Sequence, residues 1–196
     1  MFRRVVTIAV WTLLTCVLSY AGMGQAGAGS AKSATGLSLG GKTIDPLAAS
    51  AGKPAVLIFV RTDCPVSNRY TPTIKSLNQK YEGKASFYLV YPDATETAAN
   101  IQNHLSEYSL QVAALRDPKH ELVKMSQVEI TPEAAVFNGK GELVYHGRID
   151  NWYEDFGRAR PAPTTHELED AIVAALSGGP SIASQPAVGC YISDLR

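Results

Sequence analysis

Apolar positions along this chain switch between two periods. Ala55-Val56-Leu57-Ile58-Phe59-Val60 is an unbroken apolar run, the pattern of a strand buried on both faces of a parallel sheet. A strand is therefore expected over 54–60. Val66, Tyr70, Ile74, Leu77 and Tyr81 then recur at helical spacing. Residues 85–91 read as a second strand, and 95–108 as a helix with Ala98, Ile101 and Leu105 on one face. A third strand is expected over 112–115 and a short helix over 119–127. Residues 134–137 and 142–149, joined at Asn138-Gly139, form a hairpin pattern. Thr164-Thr165-His166-Glu167 reads as a capping box opening an amphipathic helix with Leu168, Ile172 and Leu176 on one face. Before all of these, 36–45 reads as a short strand turning at Gly40-Gly41. Strands that alternate with helices and then end in a hairpin predict an α/β fold. Its sheet should be mostly parallel with an antiparallel edge pair.

The two ends depart from this pattern. Arg3 and Arg4 precede an apolar run over 5–18, and small residues follow over 21–30. That is the layout of a secretory signal peptide, and the run is short for a membrane span. The expected organisation is a signal peptide over 1–28, a linker over 29–35, one domain over 36–178 and an extended tail over 179–196. The expected location is periplasmic or extracellular, with the leader removed.

The length of 196 residues suits one domain with a real core. Lys+Arg and Asp+Glu are both 18, so no basic excess points to nucleic acid. Of three cysteines, Cys16 falls in the leader, which leaves Cys64 and Cys190. Outside the cytoplasm such thiols tend to be oxidised, and two cysteines allow one internal pairing.

Cys64 ends the buried strand and begins a helix, with Pro65 at the first helical position, where its missing N–H is harmless. A sulfur there faces unpaired backbone N–H groups, which favour the reactive thiolate. Arg61 and Arg69 add positive charge nearby, and Asp63 opposes it. The competing reading is a small buried hydrophobe.

The order of elements resembles the thioredoxin-like superfamily, and within it the redoxin branch of peroxiredoxins and periplasmic thiol-disulfide proteins, which implies a central mixed sheet flanked by helices. Four features over about 36–176 carry the resemblance. The buried strand runs into Cys64-Pro65-Val66-Ser67. Pro72 lies in the following helix. A redoxin-type strand and helix are added over 112–127. Ile130-Thr131-Pro132 precedes the strand over 134–137, where the superfamily places a cis-proline beside its active cysteine. A cis peptide is therefore expected between Thr131 and Pro132. The sequence also departs from its relatives. Ser67 stands where thiol-disulfide proteins of this fold carry their second cysteine. Arg61 stands where peroxiredoxins carry Thr or Ser, and Asn68 where copper-carrying relatives have their second cysteine.

The resemblance implies a thiol oxidoreductase in which Cys64 attacks a disulfide or a peroxide. Cys190, in Val188-Gly189-Cys190-Tyr191, is similar to the resolving cysteine in the tail of some peroxiredoxins, acting within one chain or across a dimer. Pro65, Ser67, Thr131, Pro132 and Arg148 are the supporting residues. The partners implied are a thiol/disulfide protein or a peroxide, and an external thiol reductant; no cofactor is required. Two other readings stay open. One is a non-catalytic module that holds a metal ion or partner through Cys64, with Cys190 or His146. The other is a permanent Cys64–Cys190 staple. His146 and Arg148 share a strand face, with an Arg–Asp pair as the plainer reading. His104, His120 and His166 read as surface histidines, and Trp152, Tyr153 and Phe156 as an aromatic loop.

Overall fold

The structure is a computed structural model that describes residues 33–193. The expected signal peptide and Cys16 lie outside the described residues. The elements are, in chain order, β1 (Gly36–Ser38), β2 (Thr43–Ile44), α1 (Pro46–Ala49), β3 (Ala55–Phe59), α2 (Pro65–Arg69) and α3 (Thr71–Lys80). They continue with β4 (Ser86–Tyr91), α4 (Ala98–Glu107), β5 (Ala113–Arg116), α5 (Glu121–Ser126), β6 (Ile130–Thr131), β7 (Glu133–Phe137) and β8 (Leu143–Gly147). The last are β9 (Tyr153–Asp155), β10 (Arg158–Ala159), α6 (Glu167–Ser177) and β11 (Cys190–Tyr191).

The central sheet has seven strands in the order β2-β1-β5-β4-β3-β7-β8. β3 pairs with β4 and β4 with β5 in parallel, and every other pairing in this sheet is antiparallel. The sheet is therefore mixed, as the resemblance implies, with fewer parallel pairings than the alternation of strands and helices alone suggests. The reason is local: β7 follows a tight passage at Pro132 instead of a crossover helix, and the β1–β2 ribbon adds itself to β5. β5 and α5 are the strand and helix expected over 112–127.

β3 is buried along its whole length, which explains its unbroken apolar run. Val56 and Ile58 face a core shared with Ile74, Leu77, Ile101, Leu168 and Ile172. Leu57 and Phe59 face a second core with Leu122, Val123 and Phe137. Each such aliphatic side chain contributes about 1.5–3 kcal/mol on burial. A strand held this firmly from both faces gives its C-terminal end, where Cys64 follows, a fixed position.

Three local expectations need correction. The helix expected from Cys64 onward is two helices meeting at Tyr70, with Pro72 in the first turn of α3. The capping box does not form, because α6 starts at Glu167 with His166 as its cap. Arg148 binds the Glu167 carboxylate, while Thr164 Oγ1 accepts from Asn151. Leu168 and Ile172 are buried as expected, but Leu176 is exposed.

The segments beyond the domain are attached to it. Ala34 is buried, Ser33 bonds Asp45, and Thr35 bonds Glu121. Gly178 ends α6 at a positive φ of 69°, the usual role of glycine there. The tail then runs past β8, where Ile182 N–H donates to Val144 O at 3.2 Å and Arg148 N–H to Gln185 O at 3.0 Å. It finishes as β11, paired antiparallel with β6. Among the described residues no helix is long and apolar enough to cross a membrane.

Candidate active site

Cys64 caps α2 in an extended conformation, with Pro65 at the first helical position. Its side chain is 1% exposed. Burial works against a thiolate here, but hydrogen bonds from the Cys190 thiol, from Ser67 (backbone N–H and hydroxyl) and from the Val66 N–H outweigh it. The Cys64 pKa accordingly lies below its ordinary value. Ser67 Oγ is buried and has no hydrogen-bond partner among the described residues, so its proton is free to turn toward a thiolate at Cys64. One contact opposes the thiolate. Cys64 Sγ lies 3.2 Å from Thr131 O, and only the thiol can donate to that carbonyl.

The second sulfur arrives through the tail. β11 pairs with β6 so that Cys190 stands opposite Thr131 and Tyr191 opposite Ile130. Thr131 Oγ1 donates to Cys190 O at 3.2 Å, and Ile192 N–H donates to Glu129 O at 2.9 Å. The two strands approach closely only because residue 189 is glycine. A Cβ there would lie 2.1 Å from Thr131 O. The outcome is a pair of free cysteines whose sulfurs are 2.8 Å apart, Cys190 donating to Cys64. Burial, the bond to Cys64 and the charge of a Cys64 thiolate push Cys190 up to about 12. The two thiols thus have opposite proton preferences.

The peptide between Thr131 and Pro132 is cis, as the sequence reading expects. Glu133, immediately after it, was not singled out from the sequence. Its buried carboxylate accepts the N–H groups of Glu129 at 2.9 Å and Ile130 at 3.2 Å. It therefore fixes the strand on which the tail sits. Burial raises its pKa, against these bonds and the nearby His146.

A second polar network holds the loop in front of Cys64. Glu96 accepts both the N–H and the hydroxyl of Thr62 at 2.9 and 2.8 Å. Asn68 Nδ2 donates to Thr62 O at 3.0 Å, so its Oδ1 is the atom that meets His104 Nε2 at 2.9 Å. His104 must then donate from Nε2 and accept from Tyr91 OH at Nδ1, at 2.9 Å. It is a neutral, buried imidazole, and burial lowers its pKa. This corrects the surface reading of His104. His120 is buried as well, bonded to Pro92 O at 3.0 Å, whereas His166 is exposed. A signal for His104 was present: it falls between Ile101 and Leu105 on the apolar face of α4.

The remaining candidates lie elsewhere. Arg148 is bound to Glu167 and Thr165. The anticipated Arg–Asp pair does not form, since Asp150 accepts from Tyr70 OH at 2.6 Å. Arg61 is paired with Asp63 and Asp93 at 3.0 and 3.2 Å. Arg69 lies over the Trp152 ring, 5.2 Å from its centroid. Trp152 and Tyr153 pack edge-on and tilted against Tyr70, and Phe156 is exposed. His146 stands 3.8 Å from Glu133 Oε1. Among the described residues no group of three or more His, Cys, Asp or Glu side chains is placed to hold a metal ion.

The architecture is a thioredoxin-like fold: a mixed sheet flanked by helices, with a cysteine capping the helix after the central strand and a cis-proline beside it. The model of a family described as Thioredoxin-like matches residues 52–143. The comparison with curated proteins gives no match. Among solved structures, a hypothetical protein from Sinorhizobium meliloti aligns with a TM-score of 0.68 at 21% identity, covering 83% of this chain and 91% of its own. An uncharacterized conserved protein from Geobacillus kaustophilus aligns at 0.71 and 20% identity, covering 83% and 88%. A secreted disulfide oxidoreductase from Mycobacterium tuberculosis aligns at 0.50 and 20% identity, covering 74% and 94%. At such identities the likeness is one of fold.

Proposed function

We propose that the chain is an exported thiol oxidoreductase of the redoxin type, with Cys64 as nucleophile and Cys190 as resolving cysteine. The observation that carries the reading is the pair of free sulfurs 2.8 Å apart with opposite proton preferences. A nucleophile needs the thiolate, and Cys64 is the member of the pair that favours it. Cys190 keeps its proton, so it has one to give to the departing group.

With a disulfide substrate, the Cys64 thiolate bonds to one substrate sulfur and the other leaves as a thiolate, which takes up a proton. Cys190, deprotonated in turn, attacks the Cys64 sulfur and expels the second substrate thiol. The substrate gains two electrons, and Cys64 and Cys190 lose two as their disulfide forms. With a peroxide, Cys64 takes one oxygen as sulfenic acid, an alcohol or water leaves, and condensation with Cys190 releases water. In both cases an external thiol reductant returns the pair to the dithiol. Ser67 steadies the thiolate, and Thr131 and Glu133 hold the strand that presents Cys190. The secreted Mycobacterium tuberculosis oxidoreductase of the same fold is in keeping with this chemistry and with export.

Turnover of a model disulfide and of hydrogen peroxide, driven by excess small thiol, tests the reading. The account expects activity in the parent protein, none in Cys64→Ser, and stalled mixed disulfide or over-oxidised Cys64 in Cys190→Ser. Equal turnover in the parent and Cys64→Ser would end it.

A further inference from the structure

A partner of any size must reach Cys64, yet its side chain is 1% exposed and one of the groups in contact with its sulfur belongs to the chain's own tail. The tail is seated rather than merely near. Gly189 fits against Thr131 O where no side chain fits, and Ile192 is buried. Upstream, Gly147 leaves room for Gln185, whose carbonyl a Cβ at position 147 would meet at 2.5 Å.

The seat is also short. β11 and β6 contribute two residues each and form a sheet of their own, apart from the seven-stranded one. Tyr191 is 75% exposed and Cys190 only partly buried. Among the described strands β6 pairs with β11 alone. Taking β11 away would bare a strand edge that carries Thr131 beside the Cys64 sulfur. Such an edge is a template for another extended chain.

We propose that residues 189–192 are a tethered plug: an internal strand that competes with an extended segment of a partner polypeptide for the β6 edge, so that Cys64 opens only when the plug leaves. The inference rests on the oxidoreductase reading for what the opened site does, and not for whether it opens. A flexible tether gives an internal strand an effective concentration of about millimolar. Weak or dilute segments are therefore excluded, and only a partner that outbids this strand gains access. The close approach at residue 189 makes Gly189 the position at which the plug is unseated without touching either cysteine.

The experiment uses reduced full-length protein carrying Cys190→Ser, in which no Cys64–Cys190 disulfide can form. Labelling at Cys64 is followed by peptide mass spectrometry with a polymer-linked maleimide and with a small alkylating reagent. Adding Gly189→Val is expected to raise polymer-maleimide labelling of Cys64 at least tenfold, with a smaller gain for the small reagent and an unchanged unfolding midpoint of the domain. A synthetic peptide copying residues 186–193, with serine at the cysteine position, should then protect Cys64 in the Gly189→Val protein at concentrations that leave the Cys190→Ser parent unaffected. Ile192→Ser, at the other end of the strand, provides a second unseating variant should Gly189→Val lower the unfolding midpoint. Equal labelling rates with and without the unseating substitutions would overturn the proposal, as would failure of the peptide to protect. Because Cys190 is replaced throughout, neither result depends on whether Cys64 turns over a substrate.

Discussion

Cys190 stands opposite Thr131 in an antiparallel pair, and this register brings a sulfur from the far end of the chain to 2.8 Å from Cys64. Shifting β11 by one residue would turn the Cys190 side chain to the other face. The site therefore depends on backbone pairing as much as on the two thiols.

The hydrogen bond from Cys190 should be visible in the titration of Cys64. Cys190→Ala keeps Gly189 and the strand pairing but removes the donor. A hydrogen bond to a charged group favours the charged form, so the Cys64 pKa should rise when the donor is removed. The rate of alkylation at Cys64 against pH measures it. An unchanged midpoint would mean that the sulfur contact does not stabilise the thiolate.

Ser67→Ala should act in the same direction and more weakly, since the backbone N–H groups of Val66 and Ser67 remain. Its reaction rate at neutral pH should fall only severalfold, whereas Cys64→Ser should abolish thiol-linked activity. Equal losses in the two variants would point to packing rather than chemistry.

Glu133→Ala removes the one carboxylate oxygen, Oε2, that accepts two N–H groups from the β6 region. Leaving a buried donor unmatched costs about 1–3 kcal/mol. Denaturant unfolding should show a loss of that size. The equilibrium between Cys64–Cys190 disulfide and dithiol in a thiol buffer should move toward dithiol, because the strand presenting Cys190 is less firmly held. An unchanged equilibrium would remove Glu133 from the site.

His104 predicts an acid limb in stability. Its folded pKa lies below the ordinary histidine value. Above about pH 6.5 the ring is neutral whether the chain is folded or not, and its contribution is fully present. As pH falls, the unfolded chain takes up a proton that the folded ring refuses. Stability is then lost at up to about 1.4 kcal/mol per pH unit until the folded pKa is passed. Urea unfolding at neutral and mildly acid pH should show a steeper loss in the parent than in His104→Gln. Parallel losses would contradict the neutral, buried assignment.

Much of the fold was legible because it follows from periodicity. The run from Ala55 to Val60 marks the central strand, and Ile101 with Leu105 marks the buried face of α4. Cys64-Pro65 marked the nucleophile position from local chemistry alone. What escaped depends on tertiary context. Glu167 reads as a capping residue until Arg148 is seen to claim it. Glu133 carries no periodic signal, since its role is to accept N–H groups from residues just before it. The tail from 179 onward has neither helical nor strand period, because three anchoring contacts and a two-residue pairing leave little trace in hydropathy.

The account stands most directly on whether Cys64 and Cys190 form a reversible disulfide. Reduced protein is treated with mild peroxide, digested without reductant and analysed by mass spectrometry, before and after re-reduction. The predicted result is a peptide pair joining Cys64 to Cys190 that disappears on reduction. Conversion of Cys64 to sulfinic acid while Cys190 remains a free thiol would contradict it.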